Sequence, residues 1–293
     1  MKLSVCIPVY NFDIRELVYS LHKQISEQNL PAEIIIIDDA SDNEFKTLNS
    51  EIQNITSQFI QLEKNIGRSK IRNLFLQFAK GEYLLFLDCD AQIIADDFLK
   101  IYLKTIQENP NLEVIYGSFR VLPQFSKTLR NRYSAAREIF LEESSKDFSV
   151  FKTVNFVIKK SVFETFNFNE NLNKYGYEDY LFSQLLEDKK IRFTAIQNPV
   201  FHYDNTSNQV FLEKIKISLQ SLLQLSKDRN TLSYIQKTKI YKTASFIKQF
   251  RLTKPFLAIF SLLEKKIEEN LLSEHPSIQL LDVYKLGHFL RLK

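Results

Sequence analysis

Two stretches of this chain are apolar on both faces and end in acid. Glu33-Ile34-Ile35-Ile36-Ile37 runs into Asp38-Asp39, and Tyr83-Leu84-Leu85-Phe86-Leu87 runs into Asp88-Cys89-Asp90. A strand without a polar face must be covered on both sides, which is the condition of a parallel sheet between layers of helix. The intervening segments supply those helices. Ile14, Leu17, Val18, Leu21 and Ile25 keep helical spacing, as do Ile71, Leu74, Phe75, Phe78 and Ala79, whose stripe is closed by Gly81. Add the opening run Leu3 to Val9, a weaker strand from Phe59 to Leu62, a helix at about 96–108 stopped near Pro110, and a strand from Leu112 to Val121. The first 120 residues then alternate between strand and helix in the manner of βαβ units, and the fold class is α/β.

Beyond residue 121 the pattern loosens. A polar helix is expected over about 127–143, strands over Thr153 to Lys159 and Ile191 to Ile196, a helix opening at Gly176-Tyr177-Glu178-Asp179, and a short strand Val200-Phe201-His202. From about residue 207 the chain reads as helix to its end, in three or four pieces. This divides it into residues 1–205 (halves of about 1–120 and 121–205) and a helical region, 206–293. Only two cysteines occur among 293 residues, which excludes a disulfide scaffold. The N-terminus lacks a signal-peptide pattern, and no apolar run is long enough to span a bilayer. A reduced, cytoplasmic, globular protein is expected.

In open α/β sheets, ligands gather at the carboxyl ends of the strands. Here those ends carry Tyr10-Asn11, Asp38-Asp39 and Asp88-Cys89-Asp90. In an extended segment Asp88 and Asp90 point the same way, so they can share one hard cation; the plainer reading is that one of them caps a helix. Asp38-Asp39 can accept hydrogen bonds from a base N–H or ribose hydroxyls, or cap the helix that follows. Asn65 to Asn73 places Gly67 before Arg68, Lys70 and Arg72 at a helix start, which suits a phosphate or is merely an exposed cationic face. Glu178-Asp179 offers a carboxylate beside aromatic rings, or simply complements a helix dipole. His202 stands alone after a strand, where a histidine is more often structural than a ligand.

Taken in order, these segments resemble glycosyltransferase family 2. Ser4-Val5-Cys6-Ile7-Pro8-Val9-Tyr10-Asn11 resembles its opening strand and loop, Ile37-Asp38-Asp39-Ala40-Ser41-Asp42 its "DDxS" strand end, and Asn65 to Asn73 its "NxGxxxARN" helix, with Ile71 for the usual Ala. Gly81 to Asp90 resembles "G(E/D)YxxFLDxD", and Tyr175-Gly176-Tyr177-Glu178-Asp179 resembles "(W/Y)GxED". The resemblance covers about residues 2–205. It implies a GT-A (Rossmann-like) fold with a mixed, mainly parallel sheet and flanking helices, followed by the C-terminal helical region. It also implies an inverting, metal-dependent transfer from a nucleotide sugar, with a UDP-sugar expected, to a hydroxyl of a saccharide or lipid-linked acceptor, as in surface-polysaccharide assembly. By the same resemblance Asp90, Asp88 and His202 would hold Mn²⁺ or Mg²⁺. Pro8, Tyr10, Asp38, Asp39, Arg68, Arg72 and Asp88 would meet the nucleotide. Asp179 would be the base and Glu178 would orient the acceptor.

Two rivals stand beside that expectation. A sugar nucleotidyltransferase needs a Gly-rich, basic loop after the first strand, and Tyr10-Asn11-Phe12-Asp13 has no glycine. A non-catalytic carbohydrate-binding or scaffold protein on the same fold would have no need of every acidic position. The tail adds a charge asymmetry, with 15 Lys and Arg against 7 Asp and Glu from Asn205 onward. The plain reading is a solvated basic face; nucleic acid, which the resemblance disfavours, and an anionic membrane surface are the alternatives. Phe256-Leu257-Ala258-Ile259-Phe260, flanked by Lys254, Lys265 and Lys266, could lie on a membrane, pack on the catalytic domain or meet a second subunit.

Overall fold

The computed structural model describes residues 3–172 and 176–292. Its strands are β1 (Leu3–Val9), β2 (Ala32–Asp38), β3 (Gln58–Gln61), β4 (Tyr83–Leu87), β5 (Ala91–Ile93), β6 (Val114–Tyr116), β7 (Phe119–Val121), β8 (Ser144–Ser145), β9 (Asn155–Lys159), β10 (Phe193–Ile196) and β11 (Val200–His202). Eight of them form one sheet in the order β3-β2-β1-β4-β9-β6-β10-β8. The half made from the two-sided apolar runs, β3-β2-β1-β4, is wholly parallel. β9 then inserts antiparallel between β4 and β6. The expected mixed α/β architecture with a helical C-terminal region is the one observed.

β1, β2 and β4 sit at the centre of the core because nothing on them needs water. Leu3, Val5, Ile7, Ile34 to Ile37 and Tyr83 to Leu87 are all buried. The acid near the start of β2, Glu33, accepts hydrogen bonds from the Ser4 hydroxyl (2.7 Å) and the Lys80 amide (2.8 Å). Aromatic rings fill the layer behind β4 and β9. Phe86 stacks on Phe156 at 5.0 Å and meets Phe163 edge-on at 5.2 Å, and Phe168 stacks on Phe182 at 4.1 Å.

Three expectations are corrected. The apolar run from Leu112 to Val121 is two strands rather than one. β6 belongs to the large sheet, whereas β7 joins the three-stranded sheet β5-β11-β7. The break is at Gly117-Ser118, where Ser118 adopts a left-handed φ of 68°. Asn155 holds that break: its amide donates to the carbonyls of Ser118 and Asn198, both at 2.9 Å, and its oxygen accepts from the Tyr102 hydroxyl at 2.6 Å. A Cβ on Gly117 would run into the Tyr102 hydroxyl and the Asn198 carbonyl. The polar helix expected to reach about residue 143 covers only Leu129–Arg137. Among the described residues the tail holds five helices rather than three or four: Asn208–Leu225, Arg229–Ile235, Lys239–Gln249, Thr253–Leu272 and Ile278–Leu292. Polar N-caps at Ser207, Asp228 and Thr238 restart the first three.

The chain forms two compact units. One comprises Met1–Leu122, Ile139–Asn173 and Phe182–Tyr203; the other comprises Pro123–Glu138, Lys174–Leu181 and Asp204–Lys293. In the second unit, Arg130 ties the helix Leu129–Arg137 to the tail, pairing with Glu138 and with Asp204 (3.2 Å) and lying over the Phe211 ring. The helices Thr253–Leu272 and Ile278–Leu292 approach closely at Gly287, where a Cβ would stand 2.5 Å from the Phe260 ring.

Candidate active site

The site is built at the carboxyl ends of β1, β2 and β4, which are neighbours in the sheet. Strand register sets their relative height: Val9 is level with Asp38 across β1 and β2. Two backbone turns then close the ends. Ala40 takes a left-handed φ of 61°, and Asn11 one of 49°. Their loops are locked together reciprocally. Asn11 donates its side-chain amide to Asp42 at 2.9 Å, and its side-chain oxygen accepts from the Asp42 backbone at 2.7 Å. Pro8 lies within β1, opposite Ile37, and Tyr10, just beyond the strand, is 52% exposed.

The adjacent acids Asp38 and Asp39 are both buried but differently engaged. Asp39 accepts from the amides of Ile66 (2.7 Å) and Gly67 (3.0 Å), so both its oxygens hold the loop before the helix Arg68–Leu74. Asp38 spends one oxygen on the Ser41 amide at 2.7 Å. Its other oxygen, Oδ2, is buried without a hydrogen-bond partner. An orphaned buried carboxylate oxygen carries a desolvation cost of about 1–3 kcal/mol or more that a donor from a ligand would relieve.

A cation-ready group follows β4. Ligand atoms of Asp88, Asp90 and His202 all lie within 4.8 Å of one another. Asp90 Oδ2 is 3.2 Å from His202 Nε2, and Asp90 Oδ1 is buried with no partner. The small sheet makes this meeting: β11 pairs antiparallel with β5 so that His202 is opposite Ala91, and the Tyr203 amide donates to the Asp90 carbonyl at 2.8 Å. Two carboxylates and an imidazole, with one lone oxygen already stripped of water, fit a hard or borderline divalent ion such as Mn²⁺ or Mg²⁺. Asp88 is held from behind by Arg72 (2.6 Å), a buried side chain that also lies 5.5 Å from the centre of the Phe168 ring. Arg72 therefore fixes an acid of the site, and its Nε is itself buried without a partner. Burial, reinforced by the Asp90 and Asp88 carboxylates, pushes the Cys89 thiol far up, so the residue between the acids stays a neutral thiol.

Sequence reasoning named Arg68 and Arg72 as nucleotide contacts; only the structure assigns Arg72 to Asp88. It missed Asn73, which donates to the Phe168 carbonyl and to Glu170, both at 2.9 Å, and accepts from the Phe168 amide at 3.0 Å. The last Asn of the motif thereby fixes the segment behind Arg72, and the motif's spacing was its only signal.

Glu178 and Asp179 belong to the second unit, in the first turn of the helix Glu178–Asp188. Tyr175 of that motif lies outside the described residues. Gly176, with φ 100°, donates its amide to Glu178 at 2.9 Å, and a Cβ there would be 2.8 Å from the Ser218 side chain. Tyr177 is left-handed, with φ 72°. The two-residue kink turns the chain sharply into the helix.

A second group of potential ligands, Glu264, Glu268 and His288, has a different chemistry. Arg291 pairs with Glu264 at 2.6 Å and Lys216 with Glu268 at 3.6 Å, so its charge is met from within. A groove of about 650 Å³ lined by Leu30, Pro31, Tyr83, Leu103, Ile106 and Pro110 lies at the opposite ends of the strands and holds no acid cluster.

A mainly parallel sheet between helices, with an acid pair after its central strand and an imidazole closing on that pair, defines a glycosyltransferase domain of the GT-A type. Residues 4–166 match the sequence model of Glycosyl transferase family 2, and the chain belongs to that family. The teichoic acid poly(glycerol phosphate) polymerase of Staphylococcus epidermidis is 30% identical over 241 residues, which are 78% of this chain and 31% of that protein. The chain spans between about a sixth and two fifths of the length of the curated relatives it matches. Among solved structures, a mannosyltransferase from Pyrobaculum calidifontis in complex with GDP-Man and Mn²⁺ is 15% identical, with a TM-score of 0.61 over 99% of this chain and 85% of that one. S. aureus TarS 1–349 in complex with UDP is 22% identical, with a TM-score of 0.50 over 100% of this chain and 92% of that one. At these identities the likeness is one of fold.

Proposed function

We propose that this chain transfers a sugar from a nucleotide sugar, a UDP-sugar in our reading, to a hydroxyl of a saccharide or lipid-linked acceptor in surface-polysaccharide assembly, with inversion at the anomeric carbon. The observation that carries the reading is the buried, partnerless Asp90 Oδ1 inside the Asp88–Asp90–His202 group. Support for the donor comes from the two solved structures, one complexed with UDP and one with GDP-Man and Mn²⁺, and for the setting from the teichoic acid polymerase. Residues 1–205 form the catalytic region in this reading. The cytoplasm is the compartment it favours, in keeping with two unpaired cysteines.

Asp90, Asp88 and His202 would hold the cation, Mn²⁺ or Mg²⁺, and bound there it neutralises the charge that develops on the diphosphate leaving group. Asp38 Oδ2 accepts from the base or ribose, Tyr10 packs on the base, and Arg68 faces the nucleotide. Asp39 and Arg72 keep that cradle in shape. Asp179 takes the proton from the acceptor hydroxyl as its oxygen forms a bond to the anomeric carbon and the bond to the diphosphate breaks on the opposite face. Glu178, in the same helical turn, orients the acceptor.

Two variants test this. Asp90→Ala should abolish Mn²⁺-dependent nucleotide binding measured by calorimetry, along with the bound-Mn²⁺ signal in electron paramagnetic resonance; retention of both would refute the ligand assignment. Asp179→Asn should lower transfer by about 10²–10⁴-fold with nucleotide affinity unchanged. Unaltered turnover would remove Asp179 as the base.

A further inference from the structure

The helix Thr253–Leu272 carries two apolar stripes on opposite sides. One faces inward, with Phe260, Ile267 and Leu271 buried. The other faces out: Pro255, Ala258, Ile259 and Leu262 follow i, i+3, i+4, i+7 spacing and are all exposed, Ile259 by 59% and Leu262 by 82%. A helix that is apolar all round is ordinarily covered on every side. The corner before it continues the exposed surface. Phe246, in the last turn of the preceding helix, and Phe250, just beyond it, are each 57% exposed with ring centres 4.6 Å apart, and Leu252 follows Arg251, whose φ is 58°. From Lys237 to the end of this helix at Leu272 the chain has eight Lys and Arg against three acids, Glu264, Glu268 and Glu269, of which Arg291 pairs with the first and Lys216 with the second. None of the described helices is long and apolar enough to cross a membrane.

We propose that this corner docks on the surface of an anionic lipid bilayer. Phe246, Phe250, Leu252, Ile259 and Leu262 enter the interfacial layer, and Lys248, Arg251, Lys254, Lys265 and Lys266 meet lipid phosphates. Exposed aromatic and aliphatic side chains ringed by cations and lying along a helix are the composition of an interfacial anchor. Charge selects this occupant over a second copy of the chain. A two-fold contact would set the same patch against itself and oppose two strongly cationic surfaces. The proposal stands apart from the sugar-transfer reading and can fail without it.

The test is co-sedimentation of the full chain with vesicles of phosphatidylcholine alone and of phosphatidylcholine with 30% phosphatidylglycerol. Binding is expected only to the anionic vesicles and should weaken as salt is raised. Ile259→Ser with Leu262→Ser should lower the partition coefficient about tenfold or more, as should Lys265→Glu with Lys266→Glu. All four positions are exposed, so melting by circular dichroism should be unchanged. Equal partitioning of wild type and both variants would overturn the proposal. So would no binding to anionic vesicles at low salt, or a stable dimer in light scattering that the Ile259→Ser, Leu262→Ser variant dissociates.

Discussion

Asp38 and Asp39 show how little a residue's identity says about its work. They are adjacent, buried and acidic, and the sequence offers one account for both. In the fold, Asp39 is consumed by two backbone amides, while Asp38 keeps an oxygen without a hydrogen-bond partner among the described residues. Their variants should therefore separate. Asp39→Asn replaces an acceptor with a donor opposite an amide and should cost about 1–3 kcal/mol of stability, measured by urea unfolding. Asp38→Asn keeps an oxygen for the Ser41 amide, so unfolding should hardly move while UDP affinity in calorimetry falls roughly tenfold. The same scale marks the limit of reading a site from sequence. The acidic strand ends are legible because a hydrophobic run stops dead at them. The Asp90–His202 contact is legible only through the family resemblance and not from the residue pattern, since it depends on β11 pairing with β5 across more than a hundred residues.

At the level of elements, β4 falls on its expected boundaries because five consecutive two-sided apolar residues sit between Gly81-Glu82 and Asp88. The run from Leu112 to Val121 hides its break because Val114, Ile115 and Tyr116 continue to Phe119 with only a small glycine and serine between them. What splits it is distant: the Asn155 side chain and the Tyr102 hydroxyl occupy the space a side chain at 117 would need. Gly117→Ala should accordingly destabilise the protein by about 1–3 kcal/mol, read as a lower urea midpoint with unchanged slope. The five-way division of the tail was hidden for another reason. Short polar caps such as Asp228 and Thr238 look like ordinary surface positions until their side chains are seen accepting backbone amides.

On the scale of the molecule, stability should respond to acid through the helical unit. Burial, helped by Lys216, lowers the pKa of His288, and the Arg291 guanidinium beside Glu264 lowers that of the carboxyl. Both folded-state values lie below those of the unfolded chain. Each therefore contributes stability that is present above the unfolded value and lost as pH falls through the folded one. Melting temperature should drop as pH is lowered below about 6.5, and again below about 4.5. His288→Gln should remove the first of these steps and leave the second; a variant with the wild-type profile would place the acid sensitivity elsewhere.

The way β11 reaches β5 also bears on how the protein is made. A chain emerging from the ribosome exposes Asp88 and Asp90 long before His202 has been joined to it. The parallel half of the sheet, β1 to β4, can collapse in that interval, for every strand it needs has been synthesised. The imidazole can be zipped into register against Ala91 only after translation has passed residue 202. The Asp88–Asp90–His202 group is thus among the last features of its unit to be completed, and a nascent chain arrested before that point would carry the two acids without the imidazole.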